Sequence, residues 1–255
     1  MSKKSRKSAR KNNVVNPFFD EQGGPRKDYQ GGSDWHPLDD AIDGRRDKKY
    51  VKNIKPRSEG QAKLMKSIDE FNLTLAVGPA GTGKTYLAIS KAVEALEKGQ
   101  IERIILSRPA MEAGESIGYL PGGLDEKMAP YLRPLYDALG DRMGGKKVRN
   151  LMHDGTIEIA PVGFMRGRTL NNSFIVIDEA QNCTYGQLKM LMSRLGWHST
   201  MVVTGDPDQS DLLDGMSGLA DVMKRMEPLP NVAVCKLGAE DIVRHPLVAE
   251  MLTVL

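Results

Sequence analysis

Eight consecutive residues, Gly78-Pro79-Ala80-Gly81-Thr82-Gly83-Lys84-Thr85, place glycines, a lysine and a hydroxyl in the order G-x-x-x-x-G-K-[ST]. That order is suited to holding a triphosphate. Gly78, Gly81 and Gly83 let backbone N–H groups come close to phosphate oxygens at angles a side chain would forbid. A helix beginning at the loop's end adds its dipole. Lys84 supplies a point charge for the β- and γ-phosphates, and the Thr85 hydroxyl reaches a Mg²⁺ ion. Lys84 is expected to be exposed in the loop. The apolar run Leu73–Val77 precedes the motif and a helix-compatible run follows it, the setting that the motif requires.

A loop that hydrolyses nucleotides needs a second strand, beside the first, that ends in an acid. Phe174-Ile175-Val176-Ile177-Asp178-Glu179-Ala180-Gln181 supplies one. Asp178 emerges at the strand's carboxyl end, where open α/β sheets bind ligands, and would hold the metal. Glu179 can orient and deprotonate an attacking water. A third run, Met201 to Gln209, ends in the polar segment Gly205-Asp206-Pro207-Asp208-Gln209. Gln209 both donates and accepts, so it could sense a γ-phosphate without adding negative charge. Read alone, the segment is an Asp-Pro turn. Gln61, 17 residues ahead of Gly78, carries a carboxamide able to read an adenine edge. Read alone, it is an ordinary surface glutamine.

These residues need a scaffold, and the hydrophobic pattern describes one. Apolar runs at 73–77, 103–107, 157–160, 174–178, 201–204 and 232–236 lack polar alternation, as strands buried on both faces do. Helical stretches at 59–71, 84–98, 124–139, 185–195, 216–226 and 240–252 lie between them. The alternation predicts an α/β fold, a mostly parallel sheet with helices on both faces. Residues 58–255 form this domain. Residues 1–57 read as a flexible basic tail, with only 14 of 57 positions hydrophobic against 40% for the whole chain.

Charge divides the same way. The tail carries 15 Lys/Arg against 8 Asp/Glu, a balance of +7, while the remainder has 21 against 25, or −4. Six of the first 11 residues are Lys or Arg. A basic arm of this kind suits nucleic acid or another polyanion, or serves only as a solubility arm. Arg108, Arg133 and Arg168 are candidates for a second basic groove. No run approaches the roughly 18 apolar residues of a membrane span, so no membrane partner is expected. Two cysteines, Cys183 and Cys235, exclude a disulfide scaffold and zinc-ligand spacing.

Beyond the nucleotide motifs, several stretches carry a family resemblance. They are Ser107-Arg108-Pro109-Ala110-Met111-Glu112-Ala113-Gly114-Glu115, Gly118-Tyr119-Leu120-Pro121-Gly122, the run Pro130 to Leu139, Met165-Arg166-Gly167-Arg168-Thr169-Leu170, the DEAQN stretch, and Arg244-His245-Pro246-Leu247-Val248. Together they resemble the PhoH family of P-loop ATPases, related to superfamily 1 helicases, over residues 56–255. Asp208 and Ser210 depart from the family pattern, and Gln209 is retained. The resemblance implies a RecA-like P-loop NTPase fold with ATP and Mg²⁺ as cofactors. It also implies a cytoplasmic protein of the phosphate-starvation-inducible kind, coupled to single-stranded nucleic acid, RNA in preference to DNA. Relatives are sometimes fused to a nuclease domain, which residues 1–57 are too short to hold.

Three functions fit these features: a nucleic-acid-stimulated ATPase, a nucleic-acid-binding regulator that uses ATP as a switch, and a nucleotide kinase. Glu179 argues against a pure switch, which needs no general base. Residues 58–255 suffice for one nucleotide-binding domain, so an arginine for the γ-phosphate must come from within the chain or from a neighbouring subunit. The second case gives a head-to-tail homo-oligomer, a hexameric ring by family resemblance. Arg244, after a short acidic turn, is the leading candidate, with Arg166 and Arg168 as alternatives. Read alone, Arg244 is a helix-surface residue paired with Glu240 or Asp241.

Overall fold

The computed structural model describes residues 54–109, 124–213 and 215–243, with the backbone alone for 124–130. Residues 1–53 of the expected basic tail and Arg244 therefore lie outside the described residues, as does the whole stretch from Ala110 to Gly122. Six strands form one sheet: β1 (Leu73–Val77), β2 (Arg103–Arg108), β3 (Ile157–Pro161), β4 (Ser173–Ile177), β5 (Thr200–Gly205) and β6 (Val232–Lys236). Every pairing is parallel, in the order β3-β2-β4-β5-β1-β6. Strands β1 and β4 are buried along their whole length, as expected of apolar runs covered on both faces.

The described α-helices are α1 (Glu59–Glu70), α2 (Lys84–Glu97), α3 (Leu124–Met143), α4 (Gly145–His153), α5 (Tyr185–Met192) and α6 (Leu219–Met226). A 3₁₀ turn at Ala239–Asp241 stands where the apolar pattern predicts the start of a longer helix. Successive strand residues point to opposite faces, so each strand feeds two cores. Phe174 and Val176 of β4 join Leu64, Ile89, Leu135 and Leu139 beneath α1, α2 and α3. Ile175 and Ile177 join Leu188, Leu191, Leu219 and Val222 beneath α5 and α6. Fully burying one such side chain contributes about 1.5–3 kcal/mol. Ile54, ahead of the expected boundary at 58, packs against the first cluster.

Local chemistry explains several boundaries. Ser58 caps α1 by accepting the Gln61 N–H, and Thr184 with Gln187 forms a capping box on α5. Helix α6 starts at Leu219 rather than Met216. Gly218 lies so close to the Tyr185 backbone that an added Cβ would sit 2.2 Å from its nitrogen. Gly218 N–H also donates to the Cys183 carbonyl at 2.9 Å, which ties the preceding segment down before the helix can begin. Helix α4 has no counterpart in the expected pattern. Its start, Gly144-Gly145-Lys146-Lys147, has the composition of a loop, yet Val148 seals against the first core cluster. No helix among the described residues is long and apolar enough to cross a membrane. Both cysteines are buried and unpaired, and burial pushes the Cys183 thiol up to about 12.

Candidate nucleotide site

Strand β1 delivers the glycine-rich loop to the carboxyl edge of the sheet, and α2 leaves it with no side-chain cap at Gly83 (φ 83°, ψ 13°). The loop's carbonyls are engaged by the protein. Gly78 O and Pro79 O accept from Lys84 Nζ at 2.5 and 2.8 Å, Gly81 O from Val243 N–H at 3.0 Å, and Thr82 O from Gln61 Nε2 at 3.0 Å. In a trans peptide the N–H of the next residue points the other way. The N–H groups of Ala80, Thr82 and Gly83 are therefore turned away from these protein donors, as a phosphate cradle requires. Gly78 (φ 141°) is needed for a different reason. A Cβ there would lie 2.3 Å from the Leu237 carbonyl, which closes the loop from behind.

Lys84 is not exposed. It is 9% accessible, because its ammonium folds into its own loop and also reaches Thr82 Oγ1 at 3.3 Å. Burial lowers the Lys84 pKa from its ordinary value; Asp206, Glu179 and Asp178 act in the opposite direction without cancelling the shift. Gln61 is not a surface residue either. Its Oε1 accepts the Arg57 N–H at 2.9 Å while its Nε2 reaches the loop, so the carboxamide bridges the start of α1 to Thr82.

The acids arrive from β4, which is not the neighbour of β1. Strand β5 runs between them, and this corrects the expectation of a second strand directly beside the first. The intervening strand contributes a contact of its own. Asp178 Oδ1 accepts from both Thr85 Oγ1 at 2.5 Å and Thr204 Oγ1 at 2.8 Å, so β5 fixes the carboxylate against the loop's hydroxyl. Asp178 is nearly inaccessible, whereas the Glu179 side chain is 36% exposed. Glu179 sits in the left-handed region (φ 53°, ψ 44°), a conformation that costs a non-glycine residue energy and that recurs where function holds it.

Four residues that the sequence pattern does not assign to the site complete it. Gln181 Nε2 donates to Glu179 Oε2, and its Oε1 accepts the Asp206 N–H at 3.0 Å. Thr204 holds Asp178. Asp206 is buried and is the leading charge acting on Lys84. Arg108, at the end of β2, lies 3.6 Å from Asp178 Oδ2 and 3.5 Å from Glu179 Oε1. Gln181 follows Glu179 by two positions and Thr204 is the last hydroxyl of an apolar strand, so both carry a faint signal. Asn182 and Asp211 extend the stitching by exchanging hydrogen bonds at 2.8 and 2.9 Å.

Gln209 is exposed in the turn, with its own N–H on the Asp206 carbonyl at 3.1 Å. Arg168 is spent on Glu158, in a bidentate pair at 2.5 and 2.6 Å, which removes it from a shared groove with Arg108. Arg166 and Arg133 are exposed on other elements. The residue before Arg244, Val243, is bonded to the loop at Gly81. Asp241 secures that segment by accepting from Gly238 N–H at 2.9 Å and Gly60 N–H at 3.2 Å. Hydrogen bonds from Ser58 and from those two amides hold its carboxyl below the usual range.

The donor set suits a hard cation bound with a nucleotide. Among the described residues no group of three or more His, Cys, Asp or Glu could hold a metal alone. A hydroxyl and a carboxylate oxygen 2.5 Å apart, Thr85 with Asp178, are the kind of partial set that Mg²⁺ shares with phosphates and waters.

Residues 53–255 match the family described as PhoH-like protein. This chain belongs to that family. Among curated relatives it is 50% identical to the PhoH-like protein of Bacillus subtilis strain 168, over 79% of this chain and 63% of that one. It is 52% identical to the PhoH-like protein of Mycobacterium tuberculosis strain H37Rv, over 78% and 57%. Protein PhoH of Escherichia coli K12 is 43% identical, over 82% and 60%. The chain thus spans about 60% of the length of these relatives. Among solved structures, the large terminase of a thermophilic bacteriophage in complex with ADP overlays with a TM-score of 0.49 at 12% identity, covering 78% of this chain and 50% of that one. The UvsW helicase of bacteriophage T4 gives 0.42 at 12%, covering 79% and 66%. Likeness at that level leaves function open. The family, the loop and the all-parallel sheet together give the chain a P-loop fold.

Proposed function

We propose that this protein binds ATP with Mg²⁺ at Gly78–Thr85 and hydrolyses it, with turnover coupled to a single-stranded nucleic acid, RNA in preference. The observation that carries the reading is the junction of Thr85, Asp178 and Glu179, with Asp178 bonded to a loop hydroxyl 93 positions away and Glu179 beside it. Loop amides receive the phosphate oxygens. Lys84 Nζ exchanges the Gly78 and Pro79 carbonyls for the β- and γ-phosphates. Thr85 and Asp178 would hold the ion, which would supply positive charge to offset that of the phosphates. Glu179 accepts a proton from the attacking water, giving ADP and inorganic phosphate. Gln209, on the exposed turn, would sense the γ-phosphate after moving toward the loop, and Gln61 would read the adenine on giving up its bonds to Arg57 and Thr82.

The nucleic-acid half of the reading rests on the basic first 57 residues and on the family resemblance. We further propose that the arginine completing the site is Arg244 from a neighbouring copy in a ring, and that the protein works in the cytoplasm. Phosphate release, measured with and without single-stranded oligo-uridylate, tests the core of this reading. Oligo-uridylate should raise turnover. A kinase would instead move phosphate to an acceptor without releasing it, and a switch would bind ATP with no turnover. Removing the first 11 residues should flatten the dependence of log K on log salt by roughly 3 for the oligonucleotide. Mixing the inactive variants Arg244→Ala and Lys84→Ala should restore activity if the arginine acts across subunits. No recovery, with a monomeric mass, defeats the ring.

A further inference from the structure

Glu179 is the group that hydrolysis needs free, and in this structure neither of its oxygens is. Oε2 accepts from Gln181, and Oε1 faces Arg108 Nη2 at 3.5 Å. The two holds differ in kind. Gln181 is 4% exposed, and its far end is fixed by the Asp206 N–H. The Arg108 side chain is 21% exposed, and its separations from Glu179 and Asp178 exceed hydrogen-bond length, leaving an ion pair that a stronger partner can take. Arg108 also comes from the opposite flank to the phosphate loop. Strand β2 borders β4 on one side, while β5 and then β1 lie on the other. An anion could therefore approach Arg108 from the β2 side of β4, the side away from β1 and its loop.

We propose that Arg108 restrains Glu179 in the free protein, and that a phosphate of a bound single-stranded nucleic acid takes over its guanidinium and frees the base. The inference rests on the reading of the chain as a nucleic-acid-coupled ATPase. A phosphodiester accepts two parallel N–H bonds from a guanidinium, a better match than two carboxylates beyond hydrogen-bond reach. Once Arg108 turns outward, Oε1 can accept the water's proton while Gln181 keeps Oε2 aimed. Arg108 is thus a positioning residue that acts through Glu179.

Phosphate release at saturating MgATP, with and without oligo-uridylate, tests this. Arg108→Gln should raise the basal kcat by roughly fivefold, the scale on which a partly buried ion pair alters a barrier. Its KM for ATP should stay within about twofold, and oligo-uridylate should add little further. Arg108→Lys keeps the charge, so its basal rate should stay low, while its weaker hold on a phosphodiester should blunt the stimulation. Combined with Glu179→Gln, Arg108→Gln should no longer raise the rate. A basal kcat that falls in Arg108→Gln overturns the proposal. So does an unchanged basal rate with unchanged stimulation. If oligo-uridylate fails to stimulate the unaltered protein, it is the nucleic-acid reading that has failed, and the phosphate trigger with it.

Discussion

The two halves of the site are made of different material. On the β1 side the protein presents main chain: four loop carbonyls are engaged from behind, and the amides face the other way. On the β4–β5 side it presents side chains, with Asp178 held by Thr85 and Thr204 and Gln181 bridging to Asp206. A main-chain cradle tolerates no change of shape, since Gly78 has no room for a Cβ. A side-chain cluster keeps its shape on isosteric exchange and loses its chemistry. Binding and turnover should therefore fail separately.

The sharpest separation is Glu179→Gln, which should slow turnover by about 10²–10⁴ while leaving nucleotide affinity intact. Single-turnover rates and ADP binding measure the two together, and a parallel loss of both would break the comparison. Lys84→Ala is the opposite case and should weaken MgATP binding on the order of a hundredfold. Because Lys84 is buried and donates to two carbonyls, urea unfolding of the unliganded variant should also show a loss of about 1–3 kcal/mol. Full stability would mean that those carbonyls find other donors.

Gln181→Leu probes the join between the β4 and β5 segments. It removes the bridge at nearly constant volume, so kcat should fall by roughly tenfold with ADP affinity little changed. If the rate holds, Glu179 is oriented by its backbone alone. The smallest effect concerns pH. Burial lowers the Lys84 pKa from 10.5, so between the lowered value and 10.5 the unfolded chain binds more protons than the folded one. Stability without nucleotide should therefore rise with pH across that window, and MgADP affinity should fall as the ammonium deprotonates. Comparing urea midpoints of the native protein and Lys84→Met against pH checks the sign.

The same contrast explains what could be read from the residues alone. The phosphate loop is a local object whose glycines must stand at fixed spacing, so Gly78, Gly81, Gly83, Lys84 and Thr85 are visible in eight letters. Strands β1 and β6 follow the apolar runs at 73–77 and 232–236 residue for residue. The acid half is assembled from afar. Thr204 meets Asp178 across 26 positions, and Asp206 meets Gln181 across 25. No spacing rule announces such contacts. The burial of Lys84 was hidden for a related reason: its acceptors are carbonyls, which have no letter. Helix α4 is concealed by its glycine-rich, doubly basic start, and its core contacts come only from Val148, Leu151 and Met152, past that start.

The clasp behind the phosphate loop bears on how the molecule is made. Gly60 is joined to Asp241 across 181 positions, the Val77 carbonyl accepts the Leu237 N–H, and both strands flanking β1 come from the last third of the described chain. Strand β2, by contrast, pairs with both β3 and β4, and the three leave the ribosome in succession. Synthesis proceeds from the amino terminus, and pairings distant in sequence form slowly. The motif most conspicuous near the front of the sequence is thus among the last parts of the protein to acquire its walls. A nascent chain that has already displayed Gly78–Thr85 still lacks β5, β6 and the turn at Asp241, and cannot yet grip a nucleotide. On the proposed reading, capture of a nucleotide would report that β5, β6 and the turn at Asp241 have docked.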